Sequence, residues 1–198
     1  MENSSLDKNY WNNRYQIGQI AWDVGTISTP LKEYIDQLKD NDAAVLIPGY
    51  GSAYEADYLL TLGFSNITLI DIAPAAVEAL SLKFEVYLGK QLRVICGDFF
   101  ELQDKFDLIL EQTFFCALDP ALRNSYVSKM ADLLNPAGKL AGVLFNRNFE
   151  GGPPFGGSKA EYEQLFADVF QMEVMEECRN SIAPRAGSEL FFVVKKRS

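Results

Sequence analysis

The stretch Ala44-Val-Leu-Ile-Pro-Gly-Tyr-Gly-Ser-Ala-Tyr54 decides the fold. Ala44–Ile47 is a short apolar run of the kind that fills a buried strand. Pro48-Gly49-Tyr50-Gly51 follows as a turn, and from Ala53 to Leu62, closed by Gly63, apolar residues recur at helical spacing. A strand that runs through a glycine turn into a helix presents backbone N–H groups and a helix N-terminus to a ligand. Gly49 and Gly51 let the backbone come close.

Outward from this unit, the runs Ile67–Asp71, Leu92–Cys96, Phe106–Glu111 and Lys139–Phe145 read as further strands. Amphipathic stretches lie between them. Pro74–Phe84 has proline at a first helical position, and Pro120–Leu134 ends in an Asn-Pro-Ala-Gly turn at 135–138. Alternating strands and helices with short connections imply a mostly parallel sheet covered on both faces. Ser158-x-x-Glu161 is a capping box that opens another helix, after which Phe170–Glu176 and Glu189–Val194 read as a hairpin-like pair. The expected fold is therefore α/β: a three-layer, Rossmann-like sheet of seven strands, mostly parallel with the last strand antiparallel.

No repeat or low-complexity segment divides the chain, so 1–198 is expected to be a single domain. Tyr10, Trp11, Arg14 and Tyr15 lie at helical spacing and Pro30–Leu38 forms another short helix, so 1–40 reads as an aromatic helical cover. The Gly- and Pro-rich stretch Glu150–Gly157 is a conspicuous loop, equally readable as a lid or as a connection.

Composition excludes much chemistry. The chain has 198 residues and no histidine, which removes Ser-His-Asp triads, Cys-His pairs and any imidazole base. Lys plus Arg number 18 against 27 Asp plus Glu, a net charge of −9 that disfavours a nucleic-acid partner. The one basic cluster, Lys195-Lys196-Arg197, reads as a solvated tail. No apolar run approaches the roughly 20 residues of a membrane span, and the polar start lacks secretory features, so a cytoplasmic protein without a membrane partner is expected. Cys96, Cys116 and Cys178 form neither a disulfide framework nor a metal cluster and read as small buried hydrophobes. No metal site is expected.

Twenty residues after Gly51, Asp71 ends the second strand, where a carboxylate can accept from both hydroxyls of a ribose. A dinucleotide fingerprint wants a third small residue where Tyr54 stands, and no basic residue lies near to neutralise a diphosphate. S-adenosylmethionine has a ribose, no phosphate and a cationic sulfonium, so the loop and the acidic balance favour it as cofactor. Gly97-Asp98-Phe99-Phe100 follows the third strand, with Asp98 placed to accept from an adenine amino group and Phe99 to flank the base. Glu111 closes the fourth strand at the ligand-binding edge of the sheet, and is expected to receive the methionine amino group or to face the transferred methyl.

At these residues the sequence resembles the thiopurine S-methyltransferase-like branch of class I S-adenosylmethionine-dependent methyltransferases, which includes halide and thiol methyltransferases. The resemblance rests on Trp11, Trp22-Asp23-x-Gly25 with Pro30, Pro48-Gly49-x-Gly51, Asp71-Ile72, Gly97-Asp98-Phe99, Phe106-Asp107-Leu108-Ile109, Phe114-Phe115-Cys116-Ala117, Gly152-Pro153-Pro154-Phe155 and Arg185-x-Gly187-x-Glu189. It implies the class I methyltransferase sheet and cofactor contacts at Trp11, Trp22, Gly49, Gly51, Asp71, Ile72, Asp98 and Phe99, with Tyr15 where many members carry another tryptophan. Tyr50, Ala53 and Glu111-Gln112-Thr113 depart from the family's usual Cys, Gly and Asp-Tyr-variable.

Methyl transfer from a sulfonium needs placement and exclusion of water more than a base, which suits a chain without histidine. The expected acceptor is a small soft nucleophile: a thiol, thiopurine, sulfide, thiocyanate or halide. It is expected near Thr113–Cys116 (Thr113, Phe114 and Cys116 among them), under the Trp22 segment and the 150–157 loop, with Arg147 or Arg185 attracting its negative charge. Alternatives are an O- or N-methyltransferase of a larger metabolite, or a non-catalytic module that keeps the cofactor pocket. The protein is expected to be a monomer.

Overall fold

The computed structural model describes residues 6–197. Seven strands form one sheet: β1 (Val45–Pro48), β2 (Ile67–Asp71), β3 (Leu92–Cys96), β4 (Phe106–Gln112), β5 (Leu134–Phe145), β6 (Phe170–Glu177) and β7 (Glu189–Lys196). Their spatial order is β3-β2-β1-β4-β5-β7-β6. The β1–β2, β2–β3, β1–β4 and β4–β5 pairings are parallel, and β7 runs antiparallel to both β5 and β6. The expected seven-stranded sheet with an antiparallel last strand is thus observed, and β7 is inserted between β5 and β6.

Period-two alternation puts helices on both faces. Val45, Ile47, Leu108 and Leu110 face one core with Leu31 and Ile35 of α2 (Thr29–Ile35) and Leu59 of α3 (Tyr54–Thr61). Leu46 and Ile109 face the other, with Tyr126 and Met130 of α5 (Arg123–Leu133) and Phe166 of α6 (Lys159–Ala167). The Ser158 to Glu161 capping box is present at the start of α6.

Two boundaries differ from the sequence reading. Asn135–Gly138, read as a turn, belongs to β5: Leu134 already pairs with Phe106, and the irregularity that follows holds Ala137 at φ 64°. Lys195 and Lys196, read as a solvated tail, close β7 beside Lys139 and Phe170. The cysteines also differ, because only Cys116 is buried, Cys178 is half-buried and Cys96 is exposed.

The N-terminal helix α1 (Lys8–Gln16) has no fully buried residue, so its docking depends on specific contacts. Asp7 caps it, accepting from the N–H groups of Asn9 and Tyr10 at 2.9 and 3.0 Å. Helix α4 (Pro74–Lys83) has no side-chain cap of its own. Asn12 supplies one from α1, accepting from Ala75 N–H at 2.8 Å. This bond sets α1 across the carboxyl ends of β1 and β2, beside the point where the strand order reverses between β1 and β4. Open α/β sheets bind ligands at such a point.

Candidate active site

A cavity of about 590 Å³ opens along the carboxyl edge of the sheet. Trp11, Tyr15, Trp22, Gly49, Asp71, Ile72, Asp98 and Phe99 line it, together with Thr113, Phe114, Arg147 and Arg185. Of the cofactor and acceptor candidates named individually from sequence, only Gly51 and Glu111 are missing from this lining.

At one end lies Asp71, 8 % exposed. Its Oδ1 accepts from Ala73 N–H at 2.8 Å, and its Oδ2 from the Tyr15 hydroxyl at the long distance of 3.4 Å. Burial pushes its carboxyl up to about 6, against the pull of these donors. The same burial, with the Asp71 charge, raises the Tyr15 phenol and keeps it a donor. Above Asp71, Trp22 meets Trp11 and Tyr15 edge to face, with ring centroids 5.7 and 5.5 Å apart. These three rings come from α1 and the segment after it.

Gly49 and Gly51 both adopt left-handed backbone, at φ 57° and 53°. A Cβ on Gly49 would collide with the Phe114 ring, and one on Gly51 would stand 3.4 Å from Trp22 Nε1. Gly51 itself faces a second, smaller pocket of about 40 Å³ with Asp23, Ser52, Glu55 and Gln112, which shares Trp22, Gly49 and Thr113 with the large cavity. After β3, Asp98 Oδ1 accepts from Phe100 N–H at 2.8 Å, and the buried Phe99 meets Phe114 edge to face at 5.0 Å.

The residues present fit S-adenosylmethionine. Asp71 keeps one oxygen only weakly engaged, Gly49 brings backbone without a side chain to the cavity wall, and three aromatic rings stand where a cation can be covered.

The opposite end is apolar. Pro153 and Pro154, from the loop expected over the acceptor, line it together with Phe145, Phe149, Leu118 and Leu122, which the sequence did not single out. Arg147 stacks on Phe149 at 4.8 Å and has no carboxylate partner among the described residues. Arg185 is engaged, donating to Glu189 Oε1 at 3.3 Å and to the Trp22 carbonyl at 3.0 Å. It ties the aromatic segment to β7, so its charge is largely answered within the fold. The 150–157 loop is also tied down. Phe155 N–H donates to the Cys116 carbonyl at 2.7 Å, Arg123 to the Gly156 carbonyl at 2.6 Å and Gly157 N–H to the Arg147 carbonyl at 3.1 Å.

Glu111 departs from expectation. It is 0 % exposed and is absent from both pocket linings. Oε1 accepts from the N–H groups of Phe114 and Phe115 at 2.9 and 3.0 Å, and Oε2 from the Tyr126 hydroxyl at 2.8 Å. Residues 109 and 111 share the sheet face covered by α5, so the carboxylate points into that core and away from the cavity. Cys116, expected beside the acceptor, does line the cavity, but burial and the Glu111 charge raise its thiol. That is the reverse of what a nucleophile needs.

The sequence profile of the thiopurine S-methyltransferase family matches residues 6–195. A probable thiol methyltransferase 2 of Arabidopsis thaliana is 30 % identical over 193 residues, covering 95 % of this chain and 85 % of its own length. Thiocyanate methyltransferase 1 of Brassica oleracea is 26 % identical, covering 93 % of this chain and 84 % of its own. Among solved structures, the Burkholderia thailandensis 1,6-didemethyltoxoflavin-N1-methyltransferase with bound S-adenosylhomocysteine superposes with a TM-score of 0.72. That match is at 19 % identity, over 96 % of this chain and 87 % of the other.

Proposed function

We infer that this chain, which belongs to the thiopurine S-methyltransferase family, transfers the methyl group of S-adenosylmethionine to a small soft nucleophile: a thiol, thiopurine, sulfide, thiocyanate or halide. One observation carries the reading. A single cavity has a buried carboxylate under an aromatic cover at one end and, at the other, an apolar wall with Arg147, which has no ion pair among the described residues. Support comes from the relatives named as thiol and thiocyanate methyltransferases.

When bound, S-adenosylmethionine supplies a methyl group already activated by a cationic sulfur. The protein's own part is placement. Asp71 would hold the ribose, Asp98 and Phe99 the adenine, and Gly49 the backbone side of the cofactor, while Trp11, Tyr15 and Trp22, on the proposed cover at 1–40, of which 1–5 lie outside the described residues, would shield the sulfonium from water. Phe114 and the proline loop would enclose the acceptor, and Arg147 would favour its anionic form. A free thiol has a pKa of about 8.5 and is a few per cent thiolate near neutrality, so a positive charge beside it substitutes for a base. Ile72 would pack beside the ribose, and Thr113 stands where the two ends meet.

Isothermal calorimetry with S-adenosylhomocysteine tests the cofactor end. Asp71→Ala removes two charge-assisted acceptor positions, so the affinity should fall by about tenfold or more, from about 1.5 kcal/mol per such bond. Equal affinity in wild type and Asp71→Ala would contradict the ribose assignment.

A further inference from the structure

Glu111 closes β4 as a buried carboxylate whose oxygens are engaged inside the protein by two backbone donors and a buried phenol. Between it and those donors lies Thr113, at φ 60°, where a β-branched side chain is a genuine outlier. The turn it precedes is held from several sides. Cys116 Sγ donates to the Thr113 carbonyl at 3.3 Å and Ala117 N–H to the Phe114 carbonyl at 3.0 Å. The neighbouring strand makes room: Gly142 pairs with Glu111, and a Cβ there would collide with it. The same turn supplies Thr113, Phe114, Cys116 and Ala117 to the cavity wall, with Phe114 seated on Gly49 and Phe155 N–H bonded to the Cys116 carbonyl.

We propose that Glu111 is a positioning residue for methyl transfer: its Oε1 holds Thr113 in the left-handed region, so that the 113–117 turn forms the wall where the cofactor and acceptor ends of the cavity meet. The proposal rests on the methyltransferase reading above. Glu111 lines neither pocket, so its effect reaches the reacting atoms only through the turn. What the turn requires is an acceptor oxygen. Burial lifts the carboxyl to about 7, and the titratable groups that face it are Tyr126 from α5 and Cys116 from the turn itself. An amide oxygen would serve the same two N–H groups, and the Tyr126 hydroxyl can turn to accept from its NH₂.

The test is a double-mutant cycle on kcat and acceptor KM, with hydrosulfide and benzenethiol as acceptors, alongside calorimetric affinity for S-adenosylhomocysteine. Glu111→Ala should lower kcat/KM by about tenfold or more while Glu111→Gln stays within about threefold. In a Thr113→Gly background, where the left-handed conformation needs no holding, Glu111→Ala should cost less than about threefold. Equal losses in both backgrounds, or a Glu111→Gln protein as impaired as Glu111→Ala, would overturn the proposal. Should Glu111→Ala not melt cooperatively, Tyr126→Phe decides: both N–H bonds to Oε1 survive, so turnover should stay within about threefold, and a tenfold fall overturns the proposal. A wild-type protein that binds no S-adenosylhomocysteine would sink the cofactor reading and this proposal together, a result distinct from intact binding without rescue.

Discussion

Asp71 carries a charge in a place that disfavours charge. Burial lifts its carboxyl to about 6, yet only the ionised form offers both oxygens to a ribose. Cofactor affinity should therefore weaken as the pH falls through about 6, and calorimetry across that range should show no such fall in Asp71→Asn. Stability has the opposite sign. Asp71 and Glu111 bind a proton more tightly in the folded state, their pKa values rising from the ordinary 3.8 and 4.5 to about 6 and about 7. Their favourable contribution is complete below the unfolded values and is lost as the pH rises through the folded ones. Urea unfolding at about pH 5 and about pH 8 should show wild type losing about 1–3 kcal/mol relative to Glu111→Gln on going up. The sequence made Asp71 and Asp98 legible through their place at strand ends. It misplaced Glu111 because position along β4 was read without parity: Ile109 and Glu111 share a face, and the Tyr126 hydroxyl that meets the carboxylate lies 15 residues on.

Among elements, α1 does the least for the core and the most for the cavity. Asn12 caps α4 and thereby fixes where Trp11 and Tyr15 stand. Trp22→Ala should lower affinity for S-adenosylhomocysteine less than for S-adenosylmethionine, since only the latter carries the cation. A roughly 2- to 30-fold selective loss corresponds to a cation–π contact of 0.5–2 kcal/mol, and paired calorimetric titrations would measure it. Strand β5 has a parallel role at Gly142. Gly142→Ala would drive a methyl group into Glu111, and the expected cost of about 1–3 kcal/mol should appear as a melting temperature lower by about 2–10 °C. The strands, the helices and the glycine turn were legible because period and punctuation are local. The start of β5 was missed because Asn135-Pro-Ala-Gly138 has turn chemistry, and only the pairing of Leu134 with Phe106 reveals the strand.

For the molecule as a whole, the missing histidine and the excess of carboxylates describe one chemical strategy. Three of the acidic residues, Asp7, Asp71 and Asp98, line a cavity suited to a cationic nucleoside, and at its far end Arg147 has no ion pair among the described residues. Arg147→Met should raise the KM for anionic acceptors by about threefold or more and leave affinity for S-adenosylhomocysteine within about twofold. None of the helices among the described residues is long and apolar enough to cross a membrane. The apolar acceptor wall was the least legible part of the site, because Phe145, Phe149 and Leu122 come from different elements and share no local pattern. The most direct test of the soft-nucleophile assignment is turnover of wild-type protein with S-adenosylmethionine and a panel of hydrosulfide, thiocyanate, iodide, benzenethiol and 6-mercaptopurine, read by release of S-adenosylhomocysteine. Release dependent on at least one of these acceptors is predicted, and cofactor binding with no release above background across the panel would contradict it.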